Sequence, residues 1–492
     1  MKQYTLILII LFVWLTSVAN AQIVRTKGMG GLTFSIVDKD FLLNPYDLAG
    51  NPAWLINDEK SDYLEITPSV TGIWGDYKRL YDPSENNYYE LLFEGVKTLG
   101  TDGTFLGQTS YEYDYRKDVY RTLKYNTYRG EAFFINDTTT GNFRYNGPTM
   151  KFMYSFKPVD NFFVGATAKY KILDGLKNVY SRAQTLYRNI YGDIGLAYNF
   201  GNDIVAGVKV SINDEQETIT ADSEDLLDVE VFNYKGETFS IRKRASSVEE
   251  KIRTINKDFS GQICFKPVEN LEVALTGGFS QGNLKILIPY TISSTNESFQ
   301  EYEDGYANFN NYNFLLVGQY HLSSDIIVSV KGIYEEDKSW SKNSTLDLLL
   351  WEWKTKNIGA GVGGSVKLCD DLLLGIEYEL TSSNIDSSKY VDGRVNSVDA
   401  TCHIGRIGAE YMMLENVFLR FGYNYTYWDV TEKIVDDFTL QGHKFTIGTG
   451  IKIFDSFSID ANIEYDRRTS SRNDSIHRSI LSGIITVTLF SF

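Results

Sequence analysis

Residues able to do chemistry are thinly spread in this chain of 492 residues. Its four histidines, His321, His403, His443 and His477, are scattered, and none has a metal-ligand spacing such as His-x-x-x-His. Hydrolysis needs a nucleophile or activated water beside a positioned base, and the only local trio of those types is Asp474, Ser475 and His477. Such neighbours are common in loops and do not by themselves make a triad. Cys264, Cys369 and Cys402 lie far apart and are odd in number, so they form no disulfide framework, and no Gly-rich phosphate loop is present. The expectation is a protein that is not an enzyme and takes no metal or cofactor.

Charge elsewhere follows a period of two. Lys151, Lys169, Lys171, Asp193, Lys209, Gln262, Glu272, Lys331, Lys367, Glu377, Glu379, Arg406, Glu410, Arg420, Lys452, Asp460 and Glu464 alternate with apolar neighbours. Alternation of that kind belongs to strands with one wet and one oily face. From Thr149 to Lys171, Met150, Phe152, Tyr154 and Phe156 share one side, and Thr149, Lys151 and Ser155 the other; Met153 is the one lapse. After the connection at Lys157 to Asn161, Phe162, Val164, Ala166, Ala168 and Tyr170 stand against Gly165, Thr167, Lys169 and Lys171. Two arms of about ten residues ending in aromatics have the length and belts of a bilayer-spanning hairpin.

The pattern returns at Ile190 to Ile212, Phe259 to Phe279, Tyr312 to Tyr334, Ile358 to Leu380, His403 to Tyr425 and Phe445 to Tyr465. Tyr63 to Trp74 reads as the first strand and Ile480 to Phe492 as the last, where Phe490 and Phe492 break the parity of Leu481 to Leu489. Thr104 to Tyr113 and Val119 to Tyr128 read as a hairpin about Tyr115-Arg116-Lys117, and Tyr88 to Leu99 as a short amphipathic helix in an external loop. The predicted fold is all-β: a transmembrane antiparallel up-and-down barrel of about 16–18 strands, with short turns on one side and long external loops on the other. Those loops are expected over 214–256, 282–310, 335–356, 381–399, 428–442 and 466–478.

Lys2, the apolar run Leu6 to Leu15 and Ala19-Asn20-Ala21 predict a cleaved signal peptide over residues 1–21, hence export to an outer membrane. Residues 22–60 form an expected N-terminal hatch or plug and 61–492 the barrel. Within 22–60, Asn51, Pro52 and Ala53 resemble the Asn-Pro-Ala motif that precedes the first strand in the outer-membrane long-chain fatty acid transporter family. That resemblance implies a hatch inside the barrel and a hydrophobic cargo. Asn51-Pro52 is equally compatible with a simple turn into the first strand, because a residue before proline is biased to extended backbone.

Tyr 34, Phe 29 and Gly 40 against Pro 8 suit many aromatic-ended strands, and a net charge of -16 argues against nucleic acid as a partner. The predicted lumen carries both signs of charge, unlike the single-sign ring of an ion-selective pore. Gly359, Gly361 and Gly363 point inward along one strand and leave a smooth wall for a ligand or for the N-terminal segment. The expected function is passive uptake of a hydrophobic or amphipathic small molecule, with Asn51, Pro52, Ala53, Gly359, Gly361 and Gly363 as ligand or gating residues. The alternative is a structural or assembly barrel holding protein partners through its external loops. Outer-membrane lipid is the expected surroundings in either case.

Overall fold

The computed structural model describes residues 50–57, 62–78, 80–126, 133–201, 204–222, 230–235, 240–243, 247–291, 299–391, 393–430, 440–454, 456–470 and 473–490. The expected signal peptide and most of segment 22–60 lie outside them. Among the described residues a short 3-10 helix, Pro52–Asn57, is followed by twenty strands. They are β1 (Tyr63–Gly75), β2 (Glu85–Leu99), β3 (Gly103–Thr122), β4 (Phe133–Val159), β5 (Phe162–Lys177), β6 (Gln184–Asn199) and β7 (Ile204–Asp222). Next come β8 (Val231–Lys235), β9 (Ser240–Lys243), β10 (Ser247–Val268), β11 (Leu271–Thr291), β12 (Phe299–His321) and β13 (Ile326–Asn343). The chain ends with β14 (Leu348–Cys369), β15 (Leu372–Lys389), β16 (Arg394–Leu414), β17 (Val417–Val430), β18 (Leu440–Phe454), β19 (Phe457–Ser470) and β20 (Asn473–Phe490).

Eighteen of these close an antiparallel barrel in chain order, β7 pairing β10 and β20 pairing β1, so the ring has no open edge. The remaining two, β8 and β9, make a hairpin whose β8 pairs with the start of β4. The tight turns and the first residue of β1 lie at one end, here the terminal end, where Tyr63 faces Phe490. Outward positions are apolar all round: Tyr89, Leu91 and Phe93 on β2, Phe152 and Tyr154 on β4, Val208 and Val210 on β7, Ile376 on β15 and Ile485 on β20 are exposed. An apolar band of that extent is not stable against water, and its outward row is the surface that lipid covers. Hence Phe152→Arg is expected to cost about 2–4 kcal/mol of folded barrel, whereas Lys151→Ala, one position away on the wet face, is expected to leave it little changed. The fraction of heat-modifiable protein after refolding into vesicles reads the difference.

Three expectations are corrected. Tyr115-Arg116-Lys117 is no turn: β3 runs through it, and these residues pair with Asn87, Asn86 and Glu85 of β2. The inward Arg116 is held by Asp114 at 2.6 Å, so a charge read as turn chemistry is satisfied on the wet face of a strand. Tyr88 to Leu99 is not a helix but most of β2, because Glu90 and Glu94, one helical turn apart, also share the inward face of a strand. Where their residues are described, the long stretches read as external loops are largely strand, and 431–439 of the stretch 428–442 lie outside the described residues. β4 has 27 residues, about 90 Å of extended chain, where about 9–11 residues cross a bilayer. Above the lipid both faces are wet, so hydrophobic alternation stops while the hydrogen-bond ladder continues.

Candidate functional site

Two clusters occupy the lumen, one at each end. At the terminal end the 3-10 helix packs on the inner face of β3 to β6. Its start follows from local chemistry: Asn51 accepts the Ala53 amide on its Oδ1 at 3.0 Å, and Pro52 fills the first helical position, where no amide is needed. Asn51 is fully buried, and its Nδ2 donates to the carbonyls of Leu196 and Val208 at 3.2 and 3.3 Å and to Gln262 Oε1 at 2.9 Å. Ser155 Oγ donates to the Ala53 carbonyl at 2.7 Å. Trp54 meets Phe163 edge-on with centroids 5.5 Å apart, and Leu55 packs with Tyr63, Val96, Leu106, Met153 and Phe490. The lapse at Met153 and the parity break at Phe490 thus have one cause, since both turn inward onto Leu55.

Glycines make room for this segment. A Cβ on Gly165 would lie 2.3 Å from the Pro52 carbonyl carbon, one on Gly195 2.0 Å from Asn51 Oδ1, and one on Gly207 2.8 Å from Asn51 Nδ2. Gly165 and Gly195 are register partners, and Gly207 is on the next strand. Gly359 and Gly361 of β14 do point inward, as expected, and Gly363 lies in the same row. They are on the opposite wall, however, where the atoms nearest a Cβ on Gly361 belong to Tyr378, Lys331 and Glu379. Asn51, Pro52 and Ala53 therefore converge on one site, and the β14 glycines do not join it.

At the distal end, side chains from both walls meet. Val119, Leu123, Phe133 and Ile135 of the β3–β4 region form a buried cluster with Ile219 of β7, Ile252 of β10 and Leu350 and Trp351 of β14. Phe133 reaches the far wall, where a Cβ on Gly305 would lie 2.4 Å from its ring. Below it Tyr125 packs on Tyr145 and Tyr187, both at 5.0 Å, with the Arg116 guanidinium 4.8 Å from the Tyr125 ring.

Between these ends the two walls differ. On β13 to β19 the charges pair with one another: Lys331 with Glu379 at 3.1 Å, Arg406 with Glu377 and Glu379 at 3.2 Å, Arg420 with Glu410 and Asp460 at 2.6 and 2.7 Å, and Lys444 with Glu464 at 2.8 Å. On β3 to β7 and β10 lies a cavity of about 630 Å³ lined by Gln108, Lys151, Thr167, Lys169, Lys171, Tyr187, Asn189, Tyr191, Asn213, Asn256 and Asp258. A second, of about 320 Å³, shares Lys151, Thr167 and Tyr191 with it and reaches Gly50, Met153, Asp193 and Lys209 beside the 3-10 helix. The alternation had placed these lysines in the lumen, but nothing in it showed that register would gather them at one level. His403 and His443 hydrogen-bond Tyr378 and Tyr423 on the outward face, and His477 lies in β20 and not in a loop.

No curated protein matches the chain. Solved structures to which it is similar include the copper transporter OprC, at 9% identity over 88% of this chain and 80% of that one with a TM-score of 0.47. The unliganded ferric citrate transporter FecA matches at 10% identity over 87% and 79%, TM-score 0.47. The ferric yersiniabactin uptake receptor FyuA from Yersinia pestis matches at 8% identity over 88% and 80%, TM-score 0.48. Likenesses this distant say nothing of what this chain binds. A family model described as "family of unknown function (DUF6850)" matches residues 52–345, from the 3-10 helix to just past β13. That match covers more than half of the sequence, and the chain belongs to this family.

Proposed function

We propose that this chain is an outer-membrane uptake barrel in which the segment around Asn51 is the inner gate of a solute path. The observation that carries this is the seat of Asn51: fully buried, hydrogen-bonded to β6, β7 and β10, and matched by glycines on three adjacent strands. A turn into the first strand needs none of these contacts. The side next to the gate is a polar chamber, and this favours a hydrophilic cargo over the acyl chain that the Asn-Pro-Ala resemblance implies, because an acyl chain needs an apolar pocket. The paired charges on β13 to β19 favour a second reading, a barrel built as a scaffold, since charges that neutralise one another offer a solute little.

Asn51→Ala separates the two readings. Its side chain makes hydrogen bonds worth about 2–3 kcal/mol together, so its loss is expected to raise the open fraction of the gate roughly 30- to 150-fold. The check is swelling of proteoliposomes in a small neutral sugar. A gate gives faster swelling than wild type, and a scaffold gives the same low rate for both.

A further inference from the structure

The chamber above the 3-10 helix has the makings of a ligand site, and we propose that it binds a small hydroxylated organic anion, the chemistry shared by sugar acids and sugar phosphates. The inference rests on the uptake reading only in calling that anion the cargo; the binding site stands apart from it. Its volume suits a molecule of one or two sugar units, because the two cavities of about 630 and 320 Å³ share lining residues and fall in the range of small-molecule sites.

The charge follows from which groups are already engaged. Lys171 is held by Glu112 at 2.8 Å, Asp193 accepts the Tyr191 hydroxyl at 2.7 Å, and Asp258 accepts the Ser211 hydroxyl at 2.8 Å. Lys169, exposed to the lumen between Lys151 and Tyr191 in the register, makes no hydrogen bond or ion pair among the described residues. A lysine head facing into a lined cavity recognises an anion.

The hydroxyl groups follow from orphaned polar atoms at the same level. Thr167 lines both cavities, is 7% exposed, and its Oγ1 has no partner; Asp193, also 7% exposed, leaves Oδ1 without one, and so does Asn256. Buried polar atoms are stable when hydrogen-bonded, and Asp193 Oδ1 and Asn256 Oδ1 can only accept. A ligand bearing several O–H donors and one negative group meets Lys169 directly and satisfies these atoms once their side chains turn toward the cavity.

Titration calorimetry on the detergent-extracted full barrel tests this with three probes: glucuronate, glucose 6-phosphate and neutral glucose. The expected result is saturable binding of at least one anion with glucose at least about tenfold weaker, and the preferred anion tells carboxylate from phosphate. Lys169→Gln should weaken the anion about tenfold to a hundredfold while Lys169→Arg retains it. Both variants should keep the wild-type heat-modifiable band. Equal affinity for glucose, no saturable anion binding to wild type, or a folded Lys169→Gln that binds as wild type overturns the proposal. Binding that persists in a barrel whose Asn51→Ala form swells no faster would sink the uptake reading and leave the site standing; faster swelling with no anion binding would do the reverse.

Discussion

Gly195→Val is expected to unseat the segment around Asn51 and open the terminal end of the barrel more fully than any loss of hydrogen bonds. The Cβ alone would sit 2.0 Å from Asn51 Oδ1 and 2.8 Å from Pro52 Cδ. Neither atom belongs to a flexible side-chain end, because Asn51 is fixed by bonds to three strands and Pro52 by its ring. The strand itself accepts valine readily, since β-branched residues suit extended backbone. Expulsion of the segment removes the Asn51 bonds and the Ser155 bond to Ala53, and it uncovers Leu55. Together these exceed about 4 kcal/mol, so the closed form is expected to fall to a small minority. Neutral-sugar swelling should then reach a plateau rate above that of Asn51→Ala. The control is Gly361→Val, an equally inward glycine on β14 whose Cβ would meet nothing closer than 3.4 Å. If Gly361→Val opened the barrel as much as Gly195→Val, the seat around Asn51 would not be the gate.

Much of this arrangement could be read before the strands were paired, and what escaped did so for identifiable reasons. The membrane-crossing arms were legible because lipid on one side and a wet lumen on the other force a period of two, as Phe152 and Lys151 show. The far ends of β4, β7 and β12 were not, because water bathes both faces there and the ladder leaves no mark on side-chain type. Asn51, Pro52 and Ala53 stood out through their likeness to a known motif. Their receptacle did not, because Gly165, Gly195 and Gly207 are neighbours across three strands while Gly359, Gly361 and Gly363 are aligned along one. A run along a strand is visible in sequence; a run across strands needs the register. Met153 and Phe490 carried the missing signal, since an apolar residue on the wet face must meet something apolar inside the barrel.

Lys177→Met is expected to loosen the distal end of the lumen while leaving the lipid-facing belt intact. Lys177 Nζ lies 2.8 Å from both Asp137 carboxylate oxygens and 3.0 Å from the Thr139 carbonyl, and both side chains of the pair are 0% exposed. Ser181 Oγ donates to the same carboxylate at 2.8 Å. Removing the cation leaves Asp137 buried and uncompensated, which costs about 3–5 kcal/mol. The cost is local, because Asp137 pairs with Val231 of β8 at the start of β4, next to Ile135 and Phe133 of the apolar cluster. Those residues, and not the belt at Phe152, lose their anchor. Hydrogen exchange should report it, with amides over 133–139 exchanging roughly 10²- to 10³-fold faster and those over 149–156 unchanged. Two comparisons fix the cause. Adding Asp137→Asn to Lys177→Met removes the stranded charge and should recover much of the protection, since a buried pair replaced as a whole is often close to neutral. Lys342→Met should change little: Lys342 also meets a carboxylate at 2.8 Å, that of Asp347, but Asp347 is 82% exposed and water compensates the loss. Protection over 133–139 that survives Lys177→Met would mean the apolar cluster holds the distal end without the ion pair. Protection lost over 149–156 as well would mean the two levels unfold as one unit, and the distal cluster could not open on its own to admit a solute.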